Sequence, residues 1–249
     1  MKIEILGCSG SVMQGYNTTS ILVNGNVLVD AGSAASALPA ERLCGIGHIL
    51  VTHPHIDHVK ELPFILETLF SREDHVVTVW GSRVTLEALT GNIFNGVIWP
   101  RITELNNYKD FVLFREVPDH EFPVGGLAVS GFRAEHIPGS LSYLLSDGES
   151  RVLFSGDTGS DRHLFDLVKS LGPSLKALFV EVSFPNRMED FARLTRHLTP
   201  SLLEEGLDGL APESVRIIAY HIKPKYIDEV VAELPPNVAY ITGGEVFQF

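Results

Sequence analysis

The chain has 249 residues, 45% of them hydrophobic and 20% charged, and a formal net charge of −12 at neutral pH. Its length and apolar content suffice for one sizeable core, so a single domain over residues 1–249 is expected. The acidic balance, with Lys and Arg unclustered along the chain, speaks against a structured nucleic acid as partner, since such binding draws on grouped cations that release counterions.

In chain order, Lys2–Leu6, Thr19–Val23 and Val27–Asp30 read as strands, the last two joined by the tight-turn sequence Asn24-Gly25-Asn26. Residues 34–44 read as a helix, and Ile49–Val51 as a short apolar strand that runs into THPHIDH at 52–58. The stretch from His58 to Phe70 has helical spacing, followed by a strand at Val76–Trp80 and a helix at 82–90. Residues 111–156 are rich in strands, with FVLF, LAVSGF, SYLLS and RVLFSGD separated by Gly, Pro and Asp turns. Helices return near 161–171, 187–196, 200–209 and 225–234, alternating with apolar strands at 177–182 and 215–220. Two strand-rich blocks, each followed by helices, predict an α/β fold in which two mixed sheets pack face to face with helices outside, a four-layer αββα sandwich.

Cys8 and Cys44 stand 36 positions apart, which indicates neither a zinc ribbon nor a disulfide framework. The opening MKIEILGCSG lacks the long apolar core of a secretory leader. No apolar run approaches the roughly 20 residues needed to span a bilayer. A cytoplasmic protein without a membrane partner is the expectation.

THPHIDH places His53, His55, Asp57 and His58 side by side. Random placement yields that pattern in roughly one chain in a thousand, so a metal site is the stronger reading. In an extended loop, side chains two apart share a face, so His53 and His55 can grip one ion. Asp57 and His58, adjacent at a helix start, diverge from that pair and can face a second. His136 follows LAVSGFRAE, Asp157 follows RVLFSG and His221 follows VRIIAY, so apolar strands deliver all three to an edge of the sheets. Two ions need a bridge, and Asp157, on the glycine-flanked turn SGDTG, can place one oxygen between them. A closed structural zinc site takes four ligands; this set leaves positions open for water and substrate, which disfavours a non-catalytic metal-binding module. Imidazoles with two carboxylates suit zinc, while iron and manganese also tolerate them.

THPHIDH, the lone His136, GDTG with Asp157 and the late YHIKP with His221 together resemble the metallo-β-lactamase superfamily, as do ILGCSGS, NTTSILV and LVDAG near the start. The likeness spans nearly the whole chain. It implies that His53, His55 and His136 hold one metal, that Asp57, His58 and His221 hold another, and that Asp157 bridges them. Asp30 of LVDAG would support a ligand from behind. GNIFNGVIWP (91–100), GDTGSD (156–161), VEVSFPN (180–186) and RHLTP (196–200) narrow the resemblance to the class II 3′,5′-cyclic-nucleotide phosphodiesterases. That implies two divalent ions, zinc first, and hydrolysis of cyclic AMP or cyclic GMP to the 5′-monophosphate by a metal-bridging hydroxide. Asp57 and Asp157 would then be catalytic as well as ligating. Two divalent ions, two aspartates and a hydroxide sum to about +1, a match for a phosphodiester monoanion. A homo-oligomer, most simply a dimer, is expected.

His197 is the candidate general acid or phosphate clamp, with Glu181 to orient it. Its alternative role is a cation at a helix C-terminus, with Thr199-Pro200 opening the next helix. Phe94 or Trp99 would stack on a purine and Asn95 would bond its edge, unless these residues only plug the core. Lys223, two beyond His221, would neutralise phosphate. His48, His75, His120 and His163 lack a motif context and read as ordinary residues. The nearest rival is a transfer-RNA 3′-processing endonuclease, but only twenty residues separate His136 from Asp157, too few for an RNA-binding arm beside two strands. A thioesterase or lactamase shares the ligands; the di-iron oxygen reductases carry a glutamate where this chain has His55.

Overall fold

In the first sheet, alternation along each strand decides which layer a side chain joins. The computed structural model describes residues 1–70, 76–160, 162–209 and 215–249. Its strands are β1 (Lys2–Gly7), β2 (Ser20–Val23), β3 (Val27–Val29), β4 (His48–Leu50), β5 (Val77–Gly81), β6 (Val112–Glu116), β7 (Phe122–Val124), β8 (Leu127–Arg133), β9 (Leu141–Ser146), β10 (Arg151–Phe154), β11 (Leu175–Glu181), β12 (Arg216–Tyr220), β13 (Val238–Tyr240) and β14 (Val246–Gln248). They form two seven-stranded sheets, ordered β14-β1-β2-β3-β4-β5-β6 and β13-β12-β11-β10-β9-β8-β7. Both are mixed: β1, β2 and β3 pair antiparallel and β3 to β6 parallel, while β7 to β10 pair antiparallel and β10 to β13 parallel.

Neighbouring residues on a strand point to opposite faces, and the core divides accordingly. Ile21 and Leu50 enter the cluster between the sheets with Phe154, Phe179 and Ile218 of the other sheet. Leu22 and Ile49, one position away, turn outward onto Leu62, Ile65, Leu66 and Leu69. In the second sheet, Leu153, Leu178 and Ile217 likewise turn out onto Leu164, Val168, Leu202 and Leu203. The helices Leu62–Phe70, Arg162–Leu171 and Pro200–Leu207 that carry these residues therefore lie outside. This is the expected four-layer sandwich, with both faces of each sheet covered and the strands correspondingly apolar on both sides.

Several elements differ from the sequence reading. The helix over 34–44 is two short ones, Ala34–Ala37 and Ala40–Leu43. Pro39 is the cause: it disfavours helical backbone in the residue before it, and Leu38 is extended at φ −116° and ψ 143°. The helix expected from His58 starts earlier and breaks, as Ile56–Val59 and Leu62–Phe70. Helix Ile102–Tyr108 and strands β7, β13 and β14 were not foreseen. β14 is consequential, because the last strand leaves its neighbours in sequence and joins the first sheet antiparallel to β1, with Lys2 opposite Gln248. Asp74, His75 and Asp161 lie outside the described residues. Among the described residues, no helix is long and apolar enough to cross a membrane.

Candidate metal centre

Each of the seven candidate ligands follows the C-terminal end of a strand: β4 precedes the 53–58 motif, β8 precedes His136, β10 precedes Asp157 and β12 precedes His221. Ladder hydrogen bonds thus anchor the backbone just before each functional side chain. Local backbone is special where the turns are sharpest. Gly156 has φ +61°, and a Cβ there would sit 2.8 Å from the Leu141 carbonyl oxygen. Glycine is therefore required immediately before Asp157. Asp30 and His221 adopt left-handed backbone at φ +58° and +62° without being glycine. Neighbours hold that conformation: the His221 amide donates to the Cys8 carbonyl at 2.6 Å, and the Asp30 amide to the Leu50 carbonyl at 2.9 Å.

The structure brings the seven together in two sets. Donor atoms of His53, His55, His136 and Asp157 lie within 4.8 Å of one another, as do those of Asp57, His58 and His221. Asp157 stands between the sets, fully buried. Its Oδ2 is 3.6 Å from His53 Nε2 and 3.9 Å from His136 Nε2, whereas Oδ1 is 3.3 Å from both His58 Nε2 and His221 Nε2. The single shared oxygen expected from the sequence is thus replaced by one oxygen for each set, because the carboxylate lies spread between them.

Behind the cluster, a second row of groups fixes the rings. His58 Nδ1 donates to Asp30 Oδ2 at 2.7 Å and His136 Nδ1 to the Arg196 carbonyl at 3.0 Å. Thr52 Oγ1 lies 3.0 Å from His53 Nδ1, and Ser183 Oγ 3.0 Å from His221 Nδ1. Nδ1 being engaged, Nε2 of each of these rings is the atom turned inward. His58 Nε2 then meets His221 Nε2 at 3.0 Å, and His136 Nε2 meets His55 Nδ1 at 3.1 Å. His53 Nε2 and Asp157 Oδ1 are buried without a well-directed hydrogen bond. Acceptor atoms turned on each other, and buried polar atoms lacking partners, are costly in a folded protein. A divalent cation in each set relieves both, so the residues present fit a metal.

Electrostatics agree. Burial disfavours charge on Asp157, but His221, His58 and His53 outweigh it and hold the carboxyl well below the usual range. Asp57 is likewise pulled down against burial by His221 and His58. Burial drives His53 well below its ordinary pKa, with the neighbouring His58 adding to the effect. The first set is therefore made of neutral imidazoles and an ionised carboxylate, the forms that ligate metals.

Asp30 behaves as expected, accepting from the Thr52 amide (2.8 Å) and hydroxyl as well as from His58. Asp30→Ala is expected to destabilise the chelator-treated protein by about 3 kcal/mol, because it strands three buried donors, two on Thr52 and one on His58. Urea unfolding of the two proteins measures this.

His197, buried at the rim, places a ring nitrogen within 4.8 Å of donor atoms of Asp157 and His221. Its Nδ1 donates to Glu181 Oε1 at 2.7 Å. Burial opposes its charge, but Glu181 outweighs burial and raises its pKa above the ordinary value. Lys223 Nζ donates to the Gly10 carbonyl and lies 4.0 Å from Asp57 Oδ2.

The 91–100 loop looks different from its expected role as a base-binding wall. Phe94 is 2% exposed and packs edge-on to Phe114, and Trp99 packs edge-on to Phe64. Asn95 spends its amide within the loop, accepting from the Val97 and Ile98 amides and donating to the Asn92 carbonyl. The exposed large hydrophobic side chains here are Val97 and Ile98. Sequence reasoning passed over Ser183, whose signal was its place two residues after Glu181 at a strand end, where side chains share a face.

Two face-to-face mixed sheets with a His/Asp cluster at one edge make this a metallo-β-lactamase fold. Residues 25–240 match the family model described as a beta-lactamase superfamily domain, and the chain belongs to that family. Among curated relatives, a probable 3′,5′-cyclic-nucleotide phosphodiesterase of Yersinia pestis is 25% identical over 278 residues, covering 90% of this chain and 79% of that one. The 3′,5′-cyclic-nucleotide phosphodiesterase 1 of Saccharomyces cerevisiae is 35% identical over 189 residues, covering 67% of this chain and 51% of that protein, so the chain spans about half its length. Among solved structures, unliganded yeast PDE1 superposes with a TM-score of 0.84 at 18% identity, covering 100% of this chain and 99% of that one.

Proposed function

We propose that the protein is a metal-dependent phosphodiesterase that hydrolyses 3′,5′-cyclic nucleotides to 5′-monophosphates. The observation that carries this reading is Asp157, buried with one oxygen turned to each of two donor sets while His197 and Lys223 stand at the rim. The names of the Yersinia and yeast relatives support the cyclic-nucleotide substrate.

His53, His55 and His136 would hold one divalent ion, Asp57, His58 and His221 a second, with Asp157 common to both. Zinc suits the imidazole-rich set best. When bound, such ions supply water activated at neutral pH and neutralise phosphoryl charge. The remaining roles belong to the chain. Lys223 offers an ammonium to an incoming phosphate beside Asp57. His197, which keeps its second proton to higher pH than a free histidine because of Glu181, donates it to the departing 3′-oxygen. Glu181 holds His197 through Nδ1, leaving Nε2 free to deliver that proton.

A hydrolysis panel tests the reading, using cyclic AMP, cyclic GMP, 2′,3′-cyclic nucleotides and bis(p-nitrophenyl) phosphate before and after chelation. The expected result is turnover of a 3′,5′-cyclic nucleotide that EDTA abolishes and zinc restores. Turnover of the artificial diester alone removes the cyclic-nucleotide assignment. Cys8 and Cys44 are not joined in a disulfide, which suits a reducing, cytoplasmic setting. A dimer belongs to the same reading, with exposed Val97, Ile98 and Tyr108 as candidate contacts; sedimentation velocity checks it.

A further inference from the structure

We infer that Ser183 is a positioning residue that joins the metal ligand His221 to the acid candidate His197 through one buried carboxylate. The inference rests on the functional reading above. Ser183 Oγ, fully buried, has four neighbours: Glu181 Oε2 at 2.9 Å, His221 Nδ1 at 3.0 Å, His197 Nδ1 at 3.2 Å and the His221 carbonyl at 3.3 Å. A serine hydroxyl has one proton and two lone pairs, which decides how these contacts are used. His197 Nδ1 is closer to Glu181 Oε1, at 2.7 Å, and gives its proton there. Ser183 then donates to the other oxygen of the same carboxylate, its strongest available acceptor. Its lone pairs remain for His221 Nδ1–H. That assignment fixes His221 as the tautomer whose Nε2 carries the lone pair toward Asp57 and Asp157, 3.4 and 3.3 Å away.

Glu181 thus serves two histidines, one directly and one through a hydroxyl. Its backbone and side chain are themselves pinned, since its amide donates to Ser155 Oγ at 3.0 Å and its Oε1 accepts from the Thr158 amide at 3.2 Å. The backbone of Ser183 is fixed from both sides as well. Its amide donates to the Leu198 carbonyl, next to His197, and its carbonyl accepts from the Lys223 amide. Ser183 cannot shift without moving the acid candidate, the ligand and the phosphate lysine together. His58 and His136 are supported differently, by a carboxylate and by a backbone carbonyl. Interposing a hydroxyl gives His221 an oriented acceptor in place of a carboxylate held directly against the ring.

Zinc titration against a competing chelator tests this without reference to substrate. Wild-type protein is expected to take up two equivalents. Ser183→Ala should lose about tenfold to a hundredfold in affinity for one of them and keep the other, the usual effect of removing a group behind a ligand. Ser183→Thr, which retains the hydroxyl, should restore it. Imidazole nitrogen NMR of the zinc-loaded wild type, which needs no variant to fold, should show His221 protonated at Nδ1. Unchanged affinities in Ser183→Ala, or His221 protonated at Nε2, overturns the inference and leaves the phosphodiesterase reading standing. A wild-type protein that takes up no zinc overturns both.

Discussion

Asp157→Asn is expected to lower kcat/KM by about a thousandfold, equivalent to about 4 kcal/mol of transition-state stabilisation, and to lower the metal content of the purified protein. The substitution keeps the shape and removes the charge. Asparagine would present an amide nitrogen where one of the two carboxylate oxygens now faces a donor set, so one set loses its shared ligand while the other keeps a weaker one. Because Asp157 is itself fully buried, bulk water does not readily stand in for the missing charge. Elemental analysis and steady-state kinetics on the same preparation make the check. Full turnover with full metal content would show that Asp157 does not join the two sets.

The second large effect separates chemistry from metal binding. His197→Ala is expected to keep its metal and to lose about a hundredfold to ten-thousandfold in kcat on a cyclic nucleotide, the range general acid catalysis contributes. The leaving group gives a sharper criterion. A nitrophenolate departs without a proton, so bis(p-nitrophenyl) phosphate should be spared much of the loss, whereas a 3′-alkoxide should not. Glu181→Gln tests the same role through pH. Glu181 raises the His197 pKa, so its neutralisation should bring the alkaline fall in kcat to lower pH. Equal losses on both substrates would assign His197 to binding rather than proton transfer, and loss of metal would make it a ligand.

Much of the site was legible because its chemistry is written locally. His53, His55, Asp57 and His58 share one short segment, a loop running into the helix Ile56–Val59, and His136, Asp157 and His221 each announce themselves as polar residues closing an apolar strand. Asp30 was readable for the same reason, one residue past β3. What could not be read was how separate strand ends meet. Ser183 touches His221 and His197 across 38 and 14 residues, a relation no local pattern encodes. The spread of Asp157 over two sets depends on a rotamer rather than on sequence. Phe94 and Trp99 were ambiguous because an apolar ring in a loop packs into a core or a ligand site by the same attraction, and only the fold sets Phe94 against Phe114 and Trp99 against Phe64. In the fold, two strand-rich blocks each followed by helices gave the layers, but β14 was missed because Val246–Gln248 is a short, mostly exposed edge strand without an apolar run, and no local pattern says that it pairs with β1.

Neither donor set belongs to one sheet. His53, His55, Asp57 and His58 leave the first, while His136, Asp157 and His221 leave the second, so any ion held here rivets the two halves of the sandwich at their shared edge. Prying that edge apart would mean surrendering the ion, and breathing of the protein there should slow as metal is added. Protease susceptibility in EDTA, compared with zinc, would then report on the mechanical integrity of the whole molecule and not only on its catalytic competence.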